Sequence, residues 1–423
     1  MFTANPNTIS SGIRETWDNT YQVTHHKIPT YPAFANFRLA AGLKKGDTVN
    51  RHYRNSLVAN DMGGDGGYST QAITDTQEQL VINKEKETSF YIKELDELQN
   101  HLPVRSQHAY DSMAALFNEI DADVLGDYDQ YTQTLDDGDL GGTAGNGITV
   151  NTTNVRQLFS QSLKFLQRGN IRLENNAKFT GFRKEDMAVQ RGVAIISPDV
   201  YAKLLESLDG KDSALGDSVG INGHAGRYFG FDLFVSNGIG WSATFEAVTI
   251  PTAGDTLTIN GVALTAAADG AATTAGEYSI QTTVDLAMAE LVKLINATGT
   301  PGADVYIDLS TANRNLIKNV VATYDSGTNL LTLKATGYGY IDVAEGMTPA
   351  GNIWTVGKEV QHCLIGVNNS IDVVLQKSPS MAVRPAPSAK VGVDVLTWAA
   401  YGHKVFNEHK AKMIDVWVRT EAY

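Results

Sequence analysis

Cysteine is almost missing from this sequence: Cys363 is the only one among 423 residues. It can form no intrachain disulfide and cannot by itself supply a structural zinc site, which excludes a disulfide-stapled secreted domain. No stretch approaches the roughly 18 consecutive apolar residues of a membrane span. The opening Met1-Phe2-Thr3-Ala4-Asn5-Pro6-Asn7 shows no basic segment leading into an apolar one. The expectation is a soluble chain kept in a reducing compartment, with no membrane partner. Charged residues are also sparse, at 19%. With 42% hydrophobic residues and 39 glycines, the composition is loop-rich but not that of a disordered chain.

The signatures of catalysis are absent too. There is no phosphate-binding Gly-x-x-x-x-Gly-Lys-Ser/Thr loop, no His-Glu-x-x-His pair and no Gly-x-Ser-x-Gly elbow. The glycine clusters at 63–67 and 138–147 do not lie between a buried strand and a helix N-terminus, the context a phosphate cradle requires. The nine histidines are scattered, and His25-His26, His101 with His108, and His403 with His409 do not fall at helical metal-binding spacing with a carboxylate. His362 and Cys363 point to opposite faces if they lie on a strand. Asp136-Asp137-Gly138-Asp139 lacks the alternation and the distal Glu of a calcium loop and reads as a solvated acidic loop. No catalytic, cofactor or metal residue is therefore assigned. A hydrolase using scattered acids has no paired motif to support it.

The charge that is present is unevenly placed. Residues 1–60 carry seven Lys/Arg against three acids, a net of +4, whereas 241–352 carry eleven acids against four bases, a net of -7. A basic arm suits a polyanion or an acidic neighbour, and an acidic lobe keeps an exposed surface soluble.

Length gives a soft expectation of two to four domains at roughly 100–200 residues each. The first 45 residues mix turn formers with Trp17, Tyr21, Tyr31, Phe34 and Phe37 and read as an extended arm lying on another surface. Thr48–Arg54 and Gln79–Lys84, around the Gly63–Gly67 tip, read as a long charged β-hairpin with too few apolar residues to stand alone. A helix of about 20 residues opens near Pro103 and stops at Gly126; a second is expected from an N-cap at Thr152 or Thr153 to Gly169. Residues 190–240 read strand, helix, strand: Val193–Ile196, then Ser197-Pro198-Asp199 opening a helix, then Gly226–Ser236. Within 241–352 we expect a hairpin turning at Asn260-Gly261, a helix Val284–Asn296 with Leu286, Leu291, Leu294 and Ile295 on its apolar face, and a second hairpin pairing 320–324 with 330–334. Strand-like runs at Val391–Trp398 and Met413–Val418 close the chain, so the acidic lobe reads as inserted into a host domain.

This order of parts, with Ser197-Pro198 followed some 30 residues later by Gly230-Phe231-Asp232, resembles the major capsid proteins of tailed double-stranded DNA phages, the Hong Kong 97-type fold. The resemblance implies an α+β chain with a 1–45 N-terminal arm, a 46–94 extended loop lying across a neighbouring subunit, and a spine helix with the first part of the peripheral domain over 95–189. It further implies an axial domain from 190–240 and 353–377, a β-rich insertion domain at 241–352, and C-terminal peripheral strands at 378–423. The implied function is that of a major capsid protein self-assembling as pentamers and hexamers into an icosahedral virion shell around double-stranded DNA, made in the host cytoplasm. Its implied partners are many copies of itself, with scaffold, portal and decoration proteins as further candidates and DNA on the inner face. An internal scaffold segment is either already removed or a separate protein. Arg51, Arg54, Lys84, Glu85, Lys86 and Glu87 are the candidate subunit-contact residues; Glu85 and Glu87 share one strand face, and Lys84 and Lys86 are candidate donors should covalent crosslinks form. The alternative is a phage tail or surface binding module recognising a receptor or carbohydrate through the 241–352 lobe.

Overall fold

A computed structural model describes residues 26–39, 47–54, 57–62, 67–68, 70–95, 104–171, 173, 190–209, 226–337, 339–349, 351–385 and 391–419. The 1–25 part of the arm, the Gly63–Gly66 tip and Pro103 lie outside the described residues. In chain order come β1 (Ala35–Asn36), β2 (Thr48–Arg54), β3 (Asp75–Val81), β4 (Lys84–Lys93), α1 (Val104–Leu125), β5 (Gln133–Leu135), β6 (Ile148–Thr149), α2 (Val155–Arg168), β7 (Gly192–Ile196) and α3 (Pro198–Leu208). Then follow β8 (Arg227–Tyr228), β9 (Phe231–Val235), β10 (Gly240–Glu246), β11 (Thr256–Ile259), β12 (Val262–Ala267), β13 (Glu277–Ser279), α4 (Val284–Asn296) and α5 (Thr311–Ile317). The chain finishes with β14 (Val320–Asp325), β15 (Leu330–Ala335), β16 (Val343–Gly346), β17 (Ile353–Val367), β18 (Ile371–Pro385), β19 (Gly392–Lys404) and β20 (Met413–Arg419).

The chain divides into two units, one from Met1–Lys27, Glu85–Leu116 and Lys377–Ala399, the other from Ile28–Lys84, Phe117–Gln376 and Ala400–Tyr423. In the first, β4 lies at the edge of a sheet beside β19, which neighbours β18. Tyr91 donates its hydroxyl to the Val391 carbonyl, and Ser112 of α1 lies 3.1 Å from the Thr397 hydroxyl. His26 pairs with Asp111 at 2.8 Å and sits edge-on to Tyr110.

The second unit is built on a sheet ordered β14-β15-β10-β17-β7-β9-β8. The 15-residue β17 organises it: its first half pairs with β10, its second half with β7 and β20. β7 is buried at every residue, the pattern of a strand covered on both faces. Pro198 at the first turn of α3 and the Ser197 hydroxyl accepting from the Val200 N–H start that helix directly after β7. Along α2, Val155, Leu158, Phe159, Ser162 and Leu166 turn inward at helical spacing. Its start differs from expectation: the Asn151 side chain accepts from the Thr153 and Asn154 N–H groups, so Asn151 organises the turn and Asn154 precedes the helix. Gly226–Ser236 is also not one strand. Phe229 (φ 49) and Gly230 (φ 88) are both left-handed, and they fold β8 back on β9.

The 241–352 region packs around a core that includes Ala243, Leu257, Leu264, Tyr278, Leu291, Tyr306 and Leu331, to which Trp354 of β17 is added. A second sheet, β13-β12-β11-β16, turns at Asn260 (φ 50) and Gly261 (φ 78), the two left-handed residues of a type I′ hairpin. α4 has the expected bounds, but Leu286 is 46% exposed and the inward face is Ala287, Met288, Leu291, Leu294 and Ile295. Thr283 caps its N-terminus by accepting from the Leu286 N–H. At its other end Asn296 closes the outer edge of β14, donating to the Ala322 carbonyl and accepting from the Ala322 N–H, as a neighbouring peptide would. The hairpin β14–β15 does not stand apart from the host: β15 pairs with β10, and β10 pairs with β17. A cut at residue 241 therefore passes through β10.

Cys363 lies on β17 and is buried. Burial pushes its thiol up to about 12, which leaves little of the reactive thiolate near neutrality. A thiol reagent at about pH 8 is expected to label native protein negligibly and to titrate the single Cys after unfolding in urea. Fast labelling of native protein contradicts this placement.

Candidate functional site

Three groups of residues hold chemistry beyond plain packing. The first is the root of the β2–β3 hairpin. β2 and β3 pair antiparallel from Thr48 opposite Val81 to Arg54 opposite Asp75. At the root, Leu80 is wholly buried against Val374 and Phe406, with Val49 and Ile82 beside them. Polar contacts fasten the same place: the Lys404 ammonium donates to the Gln79 carbonyl, the Asn407 N–H to the Glu78 carboxylate, and the Ile82 N–H to the Asp47 carbonyl.

Arg51 belongs to this root. Its guanidinium donates to Asp372 at 3.2 Å and to Glu408, and lies over the Phe406 ring, 4.7 Å from its centre. Asp372 is wholly buried and also receives the Asn36 amide at 2.6 Å, while His409 approaches it at 3.1 Å. The guanidinium and the amide supply this buried carboxylate with hydrogen bonds in place of the water it has lost. Arg51 thus acts inside its own chain, as a clamp on the hairpin. The backbone of Arg54 ends β2, and its side chain lies outside the described residues. Lys84 forms an ion pair with Asp123 at 3.1 Å. Lys86 is half-buried and also engaged, whereas Glu85 and Glu87 are exposed on one face of β4. Of the six residues singled out in the sequence, only Glu85 and Glu87 stand as outward, unpaired charges among those whose side chains are described.

Beyond the root the hairpin turns apolar outward. Leu57, Val58, Met62, Tyr68 and Ile73 are 64–80% exposed. One exposed apolar side chain needs no explanation, but five on one extension form the kind of patch that meets another surface.

The third group is a buried relay of Ser242, His362 and Asp415. The Ser242 hydroxyl and His362 Nε2 are 2.7 Å apart, His362 Nδ1 lies 2.9 Å from the Asp415 carboxylate, and the Trp417 indole donates to the same carboxylate at 2.8 Å. These are the three residue types of a nucleophilic triad, but the surroundings do not provide its chemistry. Ser242 sits within β10 with a strand on each side, so its backbone groups serve the sheet and do not converge with other N–H groups on an oxyanion. Tyr128 stacks on the imidazole at 3.6 Å between ring centres, and His362 and Asp415 are only 4% exposed. Burial and the nearby Asp415 charge both push the Tyr128 hydroxyl up, so that it stays protonated. The relay ties β10, β17 and β20 together. Sequence reasoning missed it, as it missed the His409–Asp372 and His403–Asp127 pairs, because each histidine finds its carboxylate across the fold.

Among the described residues no helix is long and apolar enough to cross a membrane, and no group of three or more His, Cys, Asp or Glu is placed to hold a metal ion.

No protein-family model and no curated protein matches the chain. Solved structures do. A chain of Mycobacterium phage Che8 superposes with a TM-score of 0.56 at 12% identity, covering 97% of each chain. A chain from the capsid of Cyanophage P-SCSP1u superposes with a TM-score of 0.53, also at 12% identity, covering 99% of this chain and 96% of that one.

Proposed function

From the α+β fold that this chain shares with those phage structures, the Hong Kong 97-type fold, we propose that it is a major capsid protein. Its copies assemble as pentamers and hexamers into an icosahedral shell around double-stranded DNA. The observation that carries this reading is the match along nearly the whole length of a cyanophage capsid chain. The apolar extension on a clamped hairpin supports it: a shell subunit must meet several neighbours, and an extension held rigid at its root delivers an adhesive surface to one of them. In this reading the protein works in the virion after synthesis in the host cytoplasm and performs no catalysis. Scaffold, portal and decoration proteins are its further partners. The extended loop is residues 46–94, the arm 1–45, the peripheral region 95–189 with 378–423, and the axial region 190–240 with 353–377.

The inserted lobe is best separated at 247–352, because Glu246 of β10 lies opposite Ile353 of β17 and a short turn can join them. Electron microscopy of the protein expressed with its genomic neighbours tests the assignment. Wild-type protein is expected to give uniform closed shells. Replacing 247–352 by a glycine-rich turn, with Phe245 and Trp354 changed to threonine because they face the excised core, is expected to leave shells forming. Deleting 241–352 removes most of β10 and is expected to abolish soluble protein. Monodisperse single subunits from the wild type, even with a scaffold present, count against the capsid assignment.

A further inference from the structure

Along its open side β4 borders a cavity of about 500 Å³, with residues 88–93 as one wall and His108, Asp111, Ser112 and Ala115 of α1 as the other. Residues of both strand faces line it, so the cavity meets the edge of the strand and not one of its faces. β4 ends its sheet, with β19 on its other side. The Glu94 N–H donates to the Val391 carbonyl, and a Cβ built on Gly392 meets the Ile92 carbonyl, so the even-numbered residues turn their backbone groups toward β19. By strand alternation the N–H and C=O groups of Glu85, Glu87, Ser89, Tyr91 and Lys93 then point to the open side. Such a row is a template for a further strand. Asp111, which lines the cavity, is already held by His26 at 2.8 Å.

The order of charges decides what can add there. An edge that resists pairing carries charge that meets its like when a second edge approaches. Along β4 the signs are mixed, Lys86 and Lys93 with Glu85 and Glu87, around the uncharged Thr88-Ser89-Phe90-Tyr91-Ile92. Two copies of β4 laid antiparallel with Ser89 opposite Ser89 set Glu85 against Lys93 and Glu87 against Tyr91 on the outer face. On the face toward α1, where Phe90 sits edge-on to His108, the same register sets Thr88 against Phe90. No like charges oppose each other, whereas a slide that centres the pair on Lys86 or Glu87 sets each against itself.

On the capsid reading above, we propose that the open edge of β4 receives the β4 of a second copy of the chain, antiparallel about a twofold axis at Ser89, with α1 walling the joint. Each copy offers the other the same row of backbone groups, the self-complementary contact of a twofold pair. The ladder carries the joint; Glu85 beside the partner's Lys93 sits at its rim and sets register more than strength. The pairing also uses up the edge, so no third strand follows.

Cysteine crosslinking tests it in shells assembled after expression with the genomic neighbours. The native Cys363 is buried with its thiol pushed up to about 12, so it stays silent. Opposed residues that exchange both hydrogen bonds stand about 5.5 Å apart at Cα, inside the span a disulfide bridges. Ser89→Cys shells, mildly oxidised and run on a non-reducing gel, are expected to show the protein chiefly as a disulfide-linked dimer. Tyr91→Cys shells are expected to run as monomer, because each Tyr91 lies about 14 Å along the joint from its counterpart. Equal dimer from both, or none from Ser89→Cys, overturns the pairing. A Ser89→Cys product of any other mass also overturns it, and assigns the edge to a different protein of the shell. Ser89→Pro reads the ladder directly, because proline removes an N–H on the open side and leaves the bonds to β19 in place. Its subunit is expected to keep the wild-type circular dichroism and urea midpoint while shell yield falls about tenfold or more, and normal yield overturns the pairing. Should Ser89→Pro fail to fold, the Ser89→Cys result decides alone. Wild-type shells without the crosslink sink only this joint, whereas no wild-type shells sink the capsid reading with it.

Discussion

Replacing Leu57, Val58, Met62, Tyr68 and Ile73 together by serine is expected to abolish particle formation while leaving the subunit's unfolding midpoint unchanged. The two halves of that result have separate causes. In the single chain these side chains are 64–80% exposed, so removing them takes almost nothing from the folded subunit. Surface changes of this kind usually stay within about 0.5 kcal/mol each. On docking, each recovers the free energy of leaving water, on the order of 1–2 kcal/mol for a large apolar side chain. Five such losses at every contact around a closed shell are far more than a weakly associating subunit can give up. The measurement pairs urea unfolding of the dispersed subunit with electron microscopy of the assembly reaction. Normal shells from the five-serine variant would show that the extension is not an adhesive surface.

Asp415→Ala is expected to act the other way round, on the subunit before assembly. Its carboxylate receives the His362 imidazole and the Trp417 indole in a place only 4% exposed. Truncation leaves the imidazole Nδ1–H and the indole N–H without acceptors inside the protein, and removes the group that orients His362 toward Ser242. A buried donor left without its acceptor costs about 1–3 kcal/mol, and two of them together are a large share of a typical domain's margin. The expected readout is a markedly lower urea midpoint and loss of soluble protein on modest warming. Ser242→Ala, which removes only one half-buried hydroxyl, is expected to cost about 1 kcal/mol. If the two variants lowered the midpoint equally, the carboxylate would not be the centre of the relay.

Whatever depends on near neighbours in the chain was legible in the sequence. The Asn260-Gly261 turn announces its hairpin because the pair supplies the two left-handed residues a type I′ turn needs. Val284–Asn296 has an N-cap, a helical apolar period and a stop, all within one stretch. Elsewhere the decisive partner is distant. β10 draws its neighbours from residues 330–334 and 353–362, so no local pattern says that the inserted hairpin extends the host sheet. The turn at Phe229-Gly230 carries a phenylalanine where small or polar residues are usual, which hid it inside a run of strand formers. Arg51 looked like an outward charge for the same reason: its acids, Asp372 and Glu408, come from the far end of the chain. Glu85 and Glu87 were legible because alternation along one strand is itself a local rule.

On the capsid reading, the amide of Asn296 has a consequence for how many copies could be crowded together. An open strand end is a template on which an identical strand from the next molecule can grow, and repetition of that event gives a fibre in place of a finite object. By occupying both backbone groups of Ala322, one side chain interrupts the template in the middle of β14, where the sheet runs out. On the capsid reading, where lobes stand side by side at very high local concentration, a strand from the next lobe cannot pair continuously along β14, because the Ala322 position is already taken.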